Sequence, residues 1–202
     1  MSEERERQTP AALRLASASP RRRQLLDLIG VPHVVTPADI DETPRRGEAA
    51  GDYVVRLARE KAEAVWSLHQ DLPVLAADTT VVVDDEILGK PESADDALAM
   101  LRKLSGRAHF VHTGIALRTV HGLSDDISTT DVEFAELTDD MIRTYWNSGE
   151  PQGKAGAYAI QGLGAVFVSE ISGSYTGVMG LPLFETAELL RYHGIRVWSG
   201  RI

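Results

Sequence analysis

The chain has 202 residues, 43% of them hydrophobic, enough to bury a core in one domain or in two small lobes sharing a cleft. It contains no cysteine, which excludes disulfides, thiolate metal sites and a cysteine nucleophile and suits a reducing, cytoplasmic compartment. The formal net charge of −9 argues against a sequence-independent grip on DNA or RNA, and no segment approaches the roughly 18 apolar residues of a membrane span.

The polar start, residues 1–12, reads as a disordered leader before a single domain over 13–202. Leu13 to Ala16 reads as a short buried strand running into Ser17-Ala18-Ser19-Pro20, where serine caps a helix and proline takes its first position. That helix runs from Arg21 to about Ile29 and closes at Gly30. A strand-like His33 to Thr36 precedes an acidic, proline-flanked loop, Asp39 to Pro44.

From about Asp52 to His69 the spacing predicts a helix with Val54, Leu57, Ala58, Ala62, Val65 and Leu68 on one side. Lys61 falls in the middle of that apolar face, so its ammonium either snorkels to an edge or points into a cleft holding an anion. Val74 to Val83 is a β-rich run with one carboxylate, Asp78, in its middle, and Asp84-Asp85 follows as a hairpin turn. A strand ending at Ala77 would relieve the cost of burying that charge and leave Asp78 at the mouth of the sheet.

After the turn Gly89-Lys90-Pro91, Ser93 caps a helix with Asp96 as a capping-box variant, and Gly106 ends it. Phe110 to Thr119 and Thr129 to Leu137 read as antiparallel strands joined by a polar turn over Gly122 to Asp126. Thr138 caps a further helix that stops at Gly149. Ala157 to Ile160 and Ala165 to Ile171 read as strands between glycine-rich turns, and a last helix spans about Pro182 to His193. Strands and helices interleave while some strands form hairpins, which predicts an α/β fold with a mixed sheet.

A phosphate loop and a complete dinucleotide fingerprint are both missing, and six scattered histidines show no metal-ligand spacing. A capped helix N-terminus with Arg21 and Arg22 beside it can either sit solvated or receive a phosphate. Lys61, Lys90 and the arginine pair supply cations suited to a triphosphate, and Glu42 and Asp78 are oxygen donors of the kind a hard divalent metal takes.

Seven strings then fall in one order: Ser17-Ala18-Ser19-Pro20-Arg21-Arg22, Arg59-Glu60-Lys61-Ala62, Ala77-Asp78-Thr79, Gly89-Lys90-Pro91, Leu104-Ser105-Gly106, Lys154 to Gly162, and Gly173-Ser174-Tyr175 with Gly180-Leu181-Pro182. Together they resemble the Maf family over about Leu13 to Ile195. The resemblance implies a two-lobed fold like that of the inosine triphosphate pyrophosphatases, with a deep cleft, a divalent metal (Mg2+ or Mn2+) and a homodimer. It implies hydrolysis of a nucleoside triphosphate to monophosphate and pyrophosphate, with neither nucleic acid nor membrane as partner. Asp78 matches the family's catalytic aspartate, acting with Lys61 and Lys90, and Ser17, Arg21 and Arg22 match its phosphate-binding groups. Glu42 matches its acidic metal-associated residue. Arg22, Thr79 and Gln161 resemble the branch acting on dTTP and UTP, with modified pyrimidine nucleotides as further substrates, and an amide at Gln161 suits the O4/N3–H edge of thymine and uracil. The family is also linked to cell division arrest, so a nucleotide-binding regulator with little turnover stands as the rival reading.

Overall fold

A computed structural model of the protein describes residues 10–199, so most of the expected leader lies outside the described residues. One seven-stranded mixed sheet runs through it in the order β2 (His33–Val35), β1 (Leu13–Leu15), β3 (Val74–Val83), β5 (Ala108–Thr119), β6 (Gly122–Phe134), β7 (Val168–Ser172), with β4 (Glu86–Leu88) hairpinned onto β3. β1 lies parallel to β2 and to β3, and the remaining pairs are antiparallel. Among the described residues no helix is long and apolar enough to cross a membrane.

Side chains alternate across a strand, and β3 divides accordingly. Val74 and Ala76 pack under α2 (Ala50–Leu68) with Ala58, Ala62, Val65 and Trp66. Leu75, Ala77 and Val81 join the larger core on the other face with Leu13, Leu15, Leu26, Leu101, Ile115 and Phe134. That core is roofed by α1 (Pro20–Leu28), α3 (Ala94–Leu104), α4 (Asp139–Asn147) and α6 (Leu183–Tyr192). Gly114 lets α2 settle directly on β5, since a Cβ there would stand 2.7 Å from the Val54 carbonyl. By contrast Leu68, expected on the apolar face, is 78% exposed at the last position of α2.

Several expectations are corrected. β3 does not stop at Ala77 but continues to Val83, carrying Asp78 in mid-strand. The polar stretch Gly122 to Asp126 is the start of β6, and the turn shrinks to Val120-His121 because Thr119 pairs with Gly122. Asp125 is half-buried and meets Arg59 of α2 at 2.7 Å, and Asp126 is exposed. β6 ends at Phe134 rather than Leu137. Ala157 to Ile160 is no strand: a 3-10 turn at Ala155–Ala157, with positive φ at Gly156 and Ala157, runs into a buried extended segment. Leu163–Phe167 is likewise a 3-10 turn, and only then does β7 begin. A short helix, α5 (Tyr175–Met179), occupies a stretch for which no element was expected.

Candidate active site

β3 pairs with β5 along its length, but its other edge is covered only in two places. β1 meets it at Val74 and Leu75, and β4 meets it from Val81 to Val83. Residues 76–80 between those contacts therefore border a notch in the sheet. A cavity of about 790 Å³ opens there, and Asp78 and Thr79 both line it, from opposite faces of the strand.

Asp78 points to the α2 side. Its Oδ1 accepts from Lys61 Nζ at 2.6 Å, and Glu42 Oε1 stands 2.6 Å from the same nitrogen. The helical phase that put Lys61 on an apolar face thus has a physical outlet: the residue is 7% exposed and its ammonium is shared between two carboxylates. Glu42 reaches it from the loop before α2, whose backbone is tied down by Tyr53 Oη donating to the Glu42 carbonyl at 2.9 Å. Arg56 holds the same loop by donating to Glu48 at 2.5 and 2.7 Å and to the Thr43 carbonyl. Burial works to raise the Glu42 pKa, but the hydrogen bond and charge of Lys61, then of Lys90 at 3.4 Å, bring it net below the ordinary value.

On the opposite face Arg22 spans the cavity wall. Its Nε donates to the Gly180 carbonyl at 2.7 Å, Nη1 to Ser17 Oγ at 3.2 Å and Nη2 to Thr79 Oγ1 at 3.2 Å. Thr79 is locked in turn through Thr113 Oγ1, which donates to the Gly177 carbonyl. A guanidinium has five N–H donors, so three are used for construction and two remain for a ligand. Burial lowers the Arg22 pKa, opposed by Asp78 and Glu42. Ser19 caps α1 through the Arg22 amide, and Pro20 needs no partner at the first helical position. Arg21 also lines the cavity, with its pKa lowered by burial against the raising pull of Tyr145 and Glu150.

Ser17, Arg21, Arg22, Glu42, Lys61, Asp78, Thr79 and Lys90, drawn from distant parts of the chain, therefore border one cavity. Gln161 does not line it: it is exposed, one residue past the lining segment Tyr158 to Ile160. Tyr53 and Lys154 are among the lining residues that the sequence reading gave no role. Tyr53 shows no sequence signal beyond helical spacing. Lys154 stands at the head of the longest motif string, and this was the signal available; its pKa is lowered by burial and by Arg21.

The family described as Maf-like protein matches residues 12–193. A dTTP/UTP pyrophosphatase of Methylobacillus flagellatus is 56% identical over 185 residues, 91% of this chain and 93% of that protein. Proteins of the same description from Bordetella parapertussis and Hahella chejuensis are 56% identical over 197 residues (93% of this chain, 95% of that protein) and 52% identical over 188 residues (92% and 94%). The solved Ham1 protein of Staphylococcus aureus overlaps 61% of this chain and 72% of its own, with a TM-score of 0.46 at 18% identity, too partial a likeness to bear on activity.

Proposed function

Because the chain belongs to the Maf-like protein family, we propose that it hydrolyses dTTP and UTP, and modified pyrimidine nucleotides of the same shape, to the monophosphate and pyrophosphate. The observation that carries this reading is the junction of Asp78, Lys61 and Glu42 at the open edge of β3, faced by Arg21, Arg22, Lys90 and Lys154 across one cavity.

A triphosphate is a dense anion, and these cations neutralise it while Asp78 engages Lys61 through Oδ1 alone. Lys61 orients Asp78 through Oδ1, so that Oδ2 takes the proton of a water aimed at the α phosphorus. Arg21, Lys90 and Lys154 receive the charge that gathers on the departing pyrophosphate. Arg22, held by Gly180, Ser17 and Thr79, offers its two remaining donors from a fixed position and costs little ordering when substrate arrives. Gln161, exposed one residue past the lining segment, is the residue this reading assigns to the O4/N3–H edge of the base.

A hard divalent cation, Mg2+ or Mn2+, fits the donors. Glu42 and Asp78 each give Lys61 one oxygen at 2.6 Å and both line the cavity, and such ions use one or two carboxylates and complete their shell with phosphate oxygens and water. Among the described residues no group of three or more His, Asp or Glu could hold a metal without such help. Glu42 and Asp78 would hold the ion, which would supply positive charge to neutralise phosphate oxygens. The reading includes a homodimer working in the cytoplasm, which a cysteine-free chain suits.

The test is pyrophosphate release with magnesium or manganese on dTTP, UTP, CTP, GTP and ATP, with Asp78→Asn alongside. Turnover on dTTP and UTP is expected, and the variant should bind nucleotide yet lose about 10²–10⁴-fold in kcat. Full activity in the variant would remove Asp78 from the mechanism. Nucleotide binding without turnover by the unmodified protein would favour the regulator.

A further inference from the structure

Glu150 lies outside the cavity, just past α4, yet its carboxylate is engaged at both oxygens. Oε1 accepts from Tyr145 Oη at 2.7 Å and from the Gly164 amide at 2.9 Å, and Oε2 accepts from the Leu163 amide at 2.9 Å. Tyr145 Oη in turn accepts from the Ala159 amide at 3.0 Å. One phenol–carboxylate pair therefore holds both flanks of a turn, Ala159 on one side and Leu163-Gly164 on the other. The turn's free span is Ile160-Gln161-Gly162.

The fit leaves no room for alternatives. A Cβ on Gly162, whose φ is 141°, would stand 2.1 Å from Glu150 Oε2, and one on Gly164 would stand 2.6 Å from Tyr145 Oη. Since this segment has no strand partner, its backbone donors depend on the clamp instead of a sheet ladder. Burial works to raise the Glu150 carboxyl, but the Gly164 and Leu163 amides and Tyr145 bring it net below its ordinary value. Burial and Glu150 push the Tyr145 phenol up, so it stays a donor. The cavity-lining Arg21 acts electrostatically on both.

We propose that Glu150 and Tyr145 are positioning residues for base selectivity, holding the turn that carries Gln161 and the adjoining cavity wall Tyr158 to Ile160. This rests on the reading of Gln161 as the base contact. A residue that only stabilised the fold would affect all nucleotides alike. A clamp on the base-reading turn affects the ratio between them.

The experiment compares Glu150→Gln, Tyr145→Phe, Gln161→Ala and the double variant Glu150→Gln/Gln161→Ala in the full chain. Each is assayed for pyrophosphate release on UTP, CTP and GTP, with melting temperatures recorded. Glu150→Gln replaces an acceptor-only group by one that presents an N–H to a donor, so the turn loses one flank. The kcat/KM ratio of UTP over CTP should fall about tenfold, through KM for UTP, with kcat changed less than about twofold. In the double variant Glu150→Gln should add nothing to the loss caused by Gln161→Ala. Tyr145→Phe removes the bonds to Glu150 and Ala159 and should shift the ratio in the same direction, which keeps the test open if Glu150→Gln folds poorly. A uniform loss across the three nucleotides, or an unchanged ratio in Glu150→Gln and Tyr145→Phe while Gln161→Ala collapses it, overturns the clamp and leaves the base reading standing. An unchanged ratio in Gln161→Ala overturns both.

Discussion

The two ends of the cavity are built by opposite means. At the Asp78 end, charged side chains project from a long strand and a long helix, and Lys61 and Asp78 are held 2.6 Å apart by packing already needed for the core. At the Ala155–Gly164 end there is almost no regular structure, and a buried tyrosine and a half-buried glutamate take over the backbone groups that a sheet would have paired. The first arrangement fixes where charge stands and suits bond cleavage. The second fixes the course of the backbone and suits discrimination between ligands. The contrast teaches that a rigid wall can be made without a strand, provided that each buried donor finds a partner.

The contrast can be broken most forcefully at its charged end. Lys61→Met leaves two carboxylates without their shared cation, and removing one partner of a buried pair costs about 3–5 kcal/mol. Thermal unfolding should show a melting temperature lower by roughly 6–20 °C. An unchanged melting temperature would mean that Glu42 and Asp78 do not depend on Lys61.

The turn end is sensitive to pH through His109, 1% exposed and hydrogen-bonded through Nε2 to Tyr158 Oη at 2.8 Å. Burial lowers its pKa from 6.5 to about 4. Between those values the unfolded chain binds the proton and the folded one does not, so stability falls as pH drops from 6.5 to about 4, by at most about 3 kcal/mol. Denaturant titrations of the unmodified protein and His109→Gln across that range check this: the variant should lack that slope.

Lys154→Ala sharpens the comparison, since this cation lines the cavity at the head of the turn end. Losing one charge-assisted contact to phosphate should raise KM for UTP about tenfold, measured in steady-state kinetics, with the same factor in pyrophosphate inhibition. The smallest effect belongs to Glu48, which Arg56 donates to at 2.5 and 2.7 Å and holds at about 2, below the ordinary 4.5. Its contribution is present above 4.5 and is lost as pH falls toward 2. Glu48→Gln should flatten acid unfolding by about 1 kcal/mol in that window.

Much of this was legible before any coordinates. Ser19-Pro20, Ser93 and Thr138 cap helices as their chemistry predicts, because capping acts within one turn. Asp78 stood out as a lone carboxylate in a β-branched run, and Lys61 by its helical phase. Where the reading failed, burial was mistaken for a particular backbone. Ala157 to Ile160 is apolar and buried like a strand, yet positive φ at Gly156 and Ala157 bends the chain away from sheet geometry. Gly122 to Asp126 is polar like a turn, yet the register with β5 makes it strand. Glu150 gave no signal, since two of its partners are backbone amides 13 and 14 residues away and the third is the Tyr145 phenol.

By itself the sequence determined the five longer helices, the Ser19, Ser93 and Thr138 caps, the mixed α/β class and the residue types able to bind a triphosphate, because each depends on interactions within a few residues. Only the tertiary structure decided that β1 and β4 cover β3 on either side of residues 76–80, so that Asp78 borders a notch instead of a sheet neighbour. It also decided that one ammonium serves two carboxylates, and that a phenol and a carboxylate replace a strand. Those outcomes depend on strand register and long-range packing, and no local propensity encodes which distant partner arrives.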